Sequence, residues 1–348
     1  MGGLLSYSGI TTKVRAMESR LLSDDQFREM ASLEDVRSAA DYLKQQPAYQ
    51  DIFTDLDDTR LHRGYIERLL TRSQYRDFAK LYRFGNLAQR KFLNLYFLHY
   101  EITLIKQILR RVSGHHQETP DLSEFKDFLE KHSKVDFIAL SQSSSLPEFI
   151  SRLEGTVYHQ LFLRTEESGR SSLFDYELQM DLYYFKSLWS AKSKVLTKSE
   201  QKILDACFGS RLDLLNLQWI YRAKHYYQMP EADIYALLIP VRYKLKAPQL
   251  EKLVEAATPA EFSAAVQATV YGRLEESRLQ EQPDVEALYF QILDRFYQAA
   301  SRKHPYSIAI LDSYLYFKER EIQRIITTIE GIRYGLSPDE IYGLAAKQ

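Results

Sequence analysis

Asp51, Asp55, Asp57 and Asp58 crowd four carboxylates into one short stretch of this 348-residue sequence. Aspartates so spaced can hold magnesium on a helix face, as helical enzymes acting on prenyl diphosphates do. Diphosphate chemistry normally needs two such clusters facing each other, because neutralising the substrate takes several metal ions. The second cluster is missing, so the group reads as a solvated turn capping a helix. A Mg-dependent prenyl-type enzyme is a remaining alternative, and Asp55 and Asp58 are the residues it would need. His115 and His116 are adjacent on a loop and no His-Glu-x-x-His occurs, so no metal site is expected. The absence of any Gly-Lys dipeptide removes the phosphate-binding loop. Cys207 is the only cysteine; it can form neither an intramolecular disulfide nor a thiolate zinc site, and its apolar neighbours make it a small core residue. Arg83, Phe84, Arg90, Lys91 and Phe92 mix cations with rings, as stacking on RNA would require. No nucleic-acid module surrounds them, and a solvated helix face accounts for them. No catalytic, metal or cofactor-binding residue is expected.

Three further acids, Glu101, Asp213 and Glu321, matter through their positions, which depend on the helices that carry them. Lys and Arg total 46 against 47 Asp and Glu, a net charge of -1 that gives no overall field for a polyanion, so nucleic acid is not the expected partner. No apolar stretch reaches the roughly 20 residues that span a bilayer. The first residues lack a signal peptide, although Met1 to Ser6 fit the short myristoylation pattern. A single cysteine suits a reducing, cytoplasmic compartment. Thirteen glycines and 10 prolines, with 27% charged residues, point to long helices and short loops. The 25 Tyr, 18 Phe and 2 Trp would fill gaps between helices.

Apolar residues recur at helical spacing in three long stretches. Leu95, Leu98, Ile102, Ile105 and Leu109 form one stripe; Leu204, Phe208, Leu212, Leu215 and Trp219 form another, with Asp213 and Asn216 between. Leu315, Ile322, Ile325, Ile326 and Ile329 make the third, interspersed with Lys318, Glu319, Arg320, Glu321 and Arg324. Loop signals fall at 114–120, 166–172, 280–283 and 303–305. Capping boxes are expected at Ser32 to Asp35, Thr258 to Glu261 and Ser337 to Glu340, with Pro259 at a first helical position. No stretch alternates long enough for a strand, and the fold class expected is all-α.

The stretches repeat. Tyr49, Tyr158 and Tyr271 each follow two short helices, at intervals of 109 and 113 residues. Glu67, Glu177 and Glu286 each open a helix rich in aromatics, at intervals of 110 and 109. Glu101, Asp213 and Glu321 mark the striped helices, at intervals of 112 and 108. Such a period is too long for a common solenoid unit and predicts three homologous helical modules, at residues 1–115, 116–228 and 229–348. Three modules can close a ring or funnel about an approximate threefold axis, or form an open array with a groove for a partner. The order of landmarks does not choose between them.

The chain resembles the C subunits of V-type ATPases of archaea and bacteria, a family whose eukaryotic counterpart is the d subunit. The resemblance covers nearly the whole chain. It begins at Lys13-Val14-Arg15-Ala16, continues through Leu21-Leu22, Phe27 and Leu43 to Tyr49, and is strongest from Tyr316 to Ile326, with Gly331 and Tyr334-Gly335-Leu336 after it. It implies an all-α funnel of three modules with pseudo-threefold symmetry and no catalysis of its own. The implied partners are the central-axle subunits of the catalytic head and the proteolipid subunits of the membrane rotor ring. The implied place is the cytoplasmic face of the membrane, peripheral and not spanning it. There the chain would couple ATP hydrolysis or synthesis to proton or sodium transport. Glu101, Asp213 and Glu321 are the candidates to line the axle-facing opening. An all-α adaptor that holds a partner in a groove is the other reading.

Overall fold

In the computed structural model, the protein is described over residues 2–54, 56, 61–114, 125–169, 171–274 and 284–347. Among these residues the chain is helical throughout, with no β-strand. Helix α1 (Gly2–Glu18) leads into the short α2 (Asp24–Ala31) and α3 (Val36–Gln45), then the long α4 (Arg63–Phe84) and α5 (Leu87–Val112). The second repeat contributes the short α6 (Lys126–His132), α7 (Phe137–Ser141), α8 (Leu146–Ser151) and α9 (Val157–Glu167), the long α10 (Leu173–Val195), and α11 (Lys198–Leu204) running into α12 (Ser210–His225). The third supplies the short α13 (Glu231–Leu237), α14 (Ala247–Glu255) and α15 (Pro259–Gln267), then the long α16 (Val285–Lys303) and α17 (Ala309–Arg333), with α18 (Pro338–Ala346) at the end.

The helix starts are chemically legible. Ser337 accepts from the Glu340 backbone N–H while Glu340 accepts from the Ser337 N–H, the reciprocal box expected there. Thr258 caps α15 by accepting from Glu261, but the Glu261 carboxylate turns one residue further back, to the Ala257 N–H. At α3 the cap is Asp35, which accepts from Ser38; Ser32 instead closes the end of α2. No reciprocal box forms there, and the cap sits three residues late, because Asp35 offers the stronger acceptor to the N-terminal N–H groups.

The second striped stretch is not one uniform helix. A π-helical segment, Asp205–Gly209, joins α11 to α12. At Gly209 a Cβ would lie 2.7 Å from Tyr243 Cγ and 3.1 Å from the Trp189 ring, so the absent side chain lets both aromatics approach the backbone.

Three hydrophobic cores follow, and each crosses a repeat border. Phe27, Met30, Leu43, Tyr49 and Phe53 of the first repeat pack with Ile322, Ile325 and Ile329 of α17. Leu140, Phe149, Tyr158 and Phe162 of the second pack with Ile102, Ile105 and Leu109 of α5. Leu253, Phe262 and Tyr271 of the third pack with Leu214, Leu217 and Ile220 of α12. Every set of short helices is thus completed by the long helix of another repeat. Cys207 is buried in the third of these cores, where burial pushes its thiol well above the ordinary range.

Candidate functional site

Glu101, Asp213 and Glu321 each meet the repeat-equivalent tyrosine of a different repeat. The Tyr158 hydroxyl donates to Glu101 at 2.5 Å, the Tyr271 hydroxyl to Asp213 at 2.7 Å, and the Tyr49 hydroxyl to Glu321 at 2.6 Å. The order is cyclic: the acid of repeat one holds the tyrosine of two, that of two holds three, and that of three holds one. As lining residues these acids would have to present carboxylates to solvent. Instead Asp213 is 0% exposed and Glu321 4%, and Glu101 is half-buried. Each carboxylate is used up inside the protein.

The remaining partners differ from joint to joint. Glu101 also accepts from the Ser133 hydroxyl. Asp213 accepts from the backbone N–H groups of Tyr243, Lys244 and Leu245 at 3.0, 2.6 and 2.9 Å. Glu321 accepts from the Leu22 N–H at 2.6 Å and the Lys318 ammonium at 2.8 Å, and Lys318 also donates to the Tyr49 hydroxyl at 2.8 Å. Burial raises the carboxyls of Glu101 and Asp213 above their ordinary range, against the opposing pull of these donors. The three phenols are held well above theirs, first by burial and then by the carboxylate beside each. Lys318 occupies the joint that ties the first repeat to the last, where it is 1% exposed.

A second equivalent set lies two residues upstream. His99, Arg211 and Glu319 share the intervals of the acids, 112 and 108. Here two of the positions meet the third: Glu319 Oε1 stands 3.4 Å from His99 Nε2 and 3.4 Å from an Arg211 terminal nitrogen, and Tyr96 Oη donates to Glu319 at 3.4 Å. Burial works against the charged form of Glu319, but the Arg211 charge and then His99 outweigh it and hold the carboxyl far below its ordinary range. These side chains are partly exposed, His99 at 28%, Arg211 at 16% and Glu319 at 23%. Nearby Asp312 stands where the other repeats have Phe92 and Leu204, with Oδ2 buried and unbonded. Burial pushes its carboxyl up to about 7, against the pull of Arg211.

A third set, nine residues beyond the acids, binds the aromatic-rich helices. Arg110 grips Glu177 at 2.5 and 2.8 Å, Arg222 pairs with Glu286, and Glu330 lies 3.9 Å from Arg63, which pairs with Glu67 at 2.7 Å. The third contact runs with reversed polarity. The sets at minus two and plus nine went unread in the sequence because His, Arg and Glu share no chemistry, although the interval that found the acids also locates them.

The other candidates are quickly placed. Asp51 is exposed and pairs with Arg76 at 3.3 Å; Asp55, Asp57, Asp58, His115 and His116 lie outside the described residues. Among the described residues no group of three or more His, Cys, Asp or Glu could hold a metal ion. Phe92 is buried, Arg90 donates to the Tyr82 and Arg83 carbonyls, and Phe84 and Lys91 face solvent.

A family model described as ATP synthase (C/AC39) subunit matches residues 10–344. Similar curated proteins include the C subunit of the A-type ATP synthase of Pyrococcus horikoshii, 27% identical over 363 residues, with 96% of this chain and 89% of that protein covered. The corresponding protein of Pyrococcus abyssi is 26% identical over 345 residues, with the same two coverages. That of Thermococcus kodakarensis is 23% identical over 340 residues, again covering 96% and 89%.

Proposed function

The chain belongs to the ATP synthase (C/AC39) subunit family, and from that premise we propose that it is the coupling subunit between axle and ring of a rotary A/V-type ATPase or ATP synthase. It is a structural subunit of the complex rather than a catalytic enzyme. In this reading it sits peripherally on the cytoplasmic face of the membrane. It takes the central axle of the catalytic head on one side and rests on the proteolipid rotor ring on the other. Torque from ATP hydrolysis then reaches the ring and moves protons or sodium ions, and synthesis reverses the path. Among the described residues no helix is long and apolar enough to cross a membrane, which supports a peripheral subunit.

The body we propose is a funnel of three modules about an approximate threefold axis. Residues 1–115, 116–228 and 229–348 each supply one repeat, and each module borrows a long helix from the repeat before it in the cycle. The observation that carries this reading is the convergence of His99, Arg211 and Glu319, equivalent positions of three repeats within one contact cluster. An open linear array would keep the first and third repeats apart, whereas here Tyr49 bonds Glu321. We assign the axle-facing lining to the partly exposed His99, Arg211 and Glu319 level. Glu101, Asp213 and Glu321 then serve as internal joints. A stiff body suits the role, because close-packed interiors transmit strain.

Purification of the detergent-solubilised rotary complex tests the assignment. The chain should stay with the membrane ring after the catalytic head is stripped away, and a deletion strain should keep head ATPase activity while losing coupled ion transport. Absence of the chain from both ring and head would overturn it.

A further inference from the structure

Helix α1 gathers three equivalent turns at one end of the molecule. Its Ser6 carbonyl accepts from Asn86 Nδ2 and Gln89 Nε2 at the α4–α5 turn, at 3.1 and 2.9 Å. Its Tyr7 hydroxyl donates to Glu200 of α11 at 2.7 Å, just past the turn that follows α10. Its Thr11 hydroxyl donates to the Pro305 carbonyl between α16 and α17 at 2.7 Å. The four segments so assembled, residues 3–17, 81–95, 189–204 and 300–311, hold eleven Lys and Arg against one acid, Glu200. Because the whole chain carries -1, the four segments hold a net charge of +10 and the rest of the protein -11. Of the acids at their borders, Glu18 pairs with Arg15 and Asp205 with Lys192, while Asp312 is buried away from the surface. Lys91, Lys194, Lys198, Arg302 and Lys303 are exposed and, among the described residues, in no ion pair.

The same end presents large apolar side chains to water. Leu5 is 83% exposed, Leu87 74%, Phe84 54% and Leu4 50%. Leu4 and Leu5 lie on α1, and Phe84 and Leu87 flank the turn that α1 is bonded to, with the Phe84 ring against Gly9. Free cations beside exposed Leu and Phe are the composition of a surface that lies on a bilayer: the cations meet anionic headgroups and the apolar groups enter the headgroup–acyl boundary.

We propose that this acid-poor end, built by α1 and the three turns, docks on anionic phospholipid. The inference rests on the coupling role and adds which end of the body faces the membrane. The charge is complementary to the surface proposed, and Lys and Arg there act through a field that salt screens within a Debye length.

Co-sedimentation of the full chain with vesicles of phosphatidylglycerol in phosphatidylcholine, against phosphatidylcholine alone, is the test. Binding should be at least about tenfold tighter to the anionic vesicles and should fall steeply between roughly 0.1 and 0.5 M NaCl, as screening of a polybasic surface requires. The combined Lys194→Gln, Lys198→Gln and Lys303→Gln variant should lose up to about fivefold per charge removed. Leu5→Ser with Leu87→Ser should weaken binding at fixed charge, and Lys44→Gln with Lys252→Gln should leave it unchanged. Equal partition onto neutral and anionic vesicles, no partition onto either, or equal losses from the Lys44 and Lys252 control would overturn the proposal. A chain that stays with the rotor ring but ignores vesicles keeps the coupling role and loses this inference, which would point to an acidic protein partner. A chain that binds vesicles but is absent from the complex does the reverse.

Discussion

Three tyrosine hydroxyls do equivalent work with unequal support, so removing them should cost unequal amounts. In Tyr158→Phe, Glu101 keeps only Ser133, and a loss of about 3 kcal/mol is expected, near the upper range for a hydrogen bond to a charged group. In Tyr271→Phe, Asp213 still has three backbone N–H donors, so about 1 kcal/mol is expected. Tyr49→Phe should fall between them, because Lys318 and the Leu22 N–H remain on Glu321. Urea unfolding of the three variants checks the ranking, and equal losses would contradict the unequal donor sets. Asp312 supplies a pH test. Its folded carboxyl, raised to about 7 by burial, keeps a proton that the unfolded chain releases near its ordinary value, so stability falls as pH rises between the two. Asp312→Asn carries no such charge. Relative to wild type it should gain on the order of 3 kcal/mol between pH 4 and pH 8, and a pH-independent difference would rule the mechanism out. From sequence, these residues were legible as positions and not as partners. The intervals located both the tyrosines and the acids, but nothing in a one-dimensional pattern says that Tyr158 faces Glu101.

Helices declared themselves through periodicity and caps, but periodicity does not say which polar residues on a striped helix are buried. Asp213, Asn216, Lys318 and Glu321 are all buried. Long helices enclosed on several sides must bury some of their polar positions, and each of these found a specific partner: the Asn216 side chain, for example, both accepts from and donates to the Ile239 backbone. The π segment was invisible for a different reason. It depends on Tyr243 and Trp189 arriving at Gly209 from elsewhere in the chain. One helix contact gives a sharp prediction. A Cβ on Gly331 would sit 2.7 Å from Ile341 Cγ1, where α18 lies against α17. Gly331→Val should therefore cost about 2–3 kcal/mol by overpacking. Hydrogen exchange should locate the damage in residues 338–346, and unchanged protection there would contradict the contact.

At the scale of the whole molecule, the spacing of the landmarks was readable and the long-range contacts among them were not. Equal spacing relates positions of like character, but the packing of α17 on the early short helices is a long-range fact: Tyr49 and Glu321 are 272 residues apart. Because Ile322, Ile325 and Ile329 complete the core of Phe27, Leu43 and Phe53, a chain ending at residue 308 should lose more than its last helices. Limited proteolysis should then cut within residues 22–70, while fragments spanning residues 125–195 persist. Resistance of residues 22–70 in the truncated chain would show that they need no help from α17.

The borrowed helix also sets a timetable for biosynthesis. Residues 22–70 leave the ribosome among the first, yet the strip of isoleucines that covers them is translated among the last. Contacts of such sequence separation form slowly, and waiting apolar surface invites aggregation. The nascent chain therefore spends most of its own synthesis with that early segment uncovered, and chaperone capture should concentrate there until the last long helix emerges.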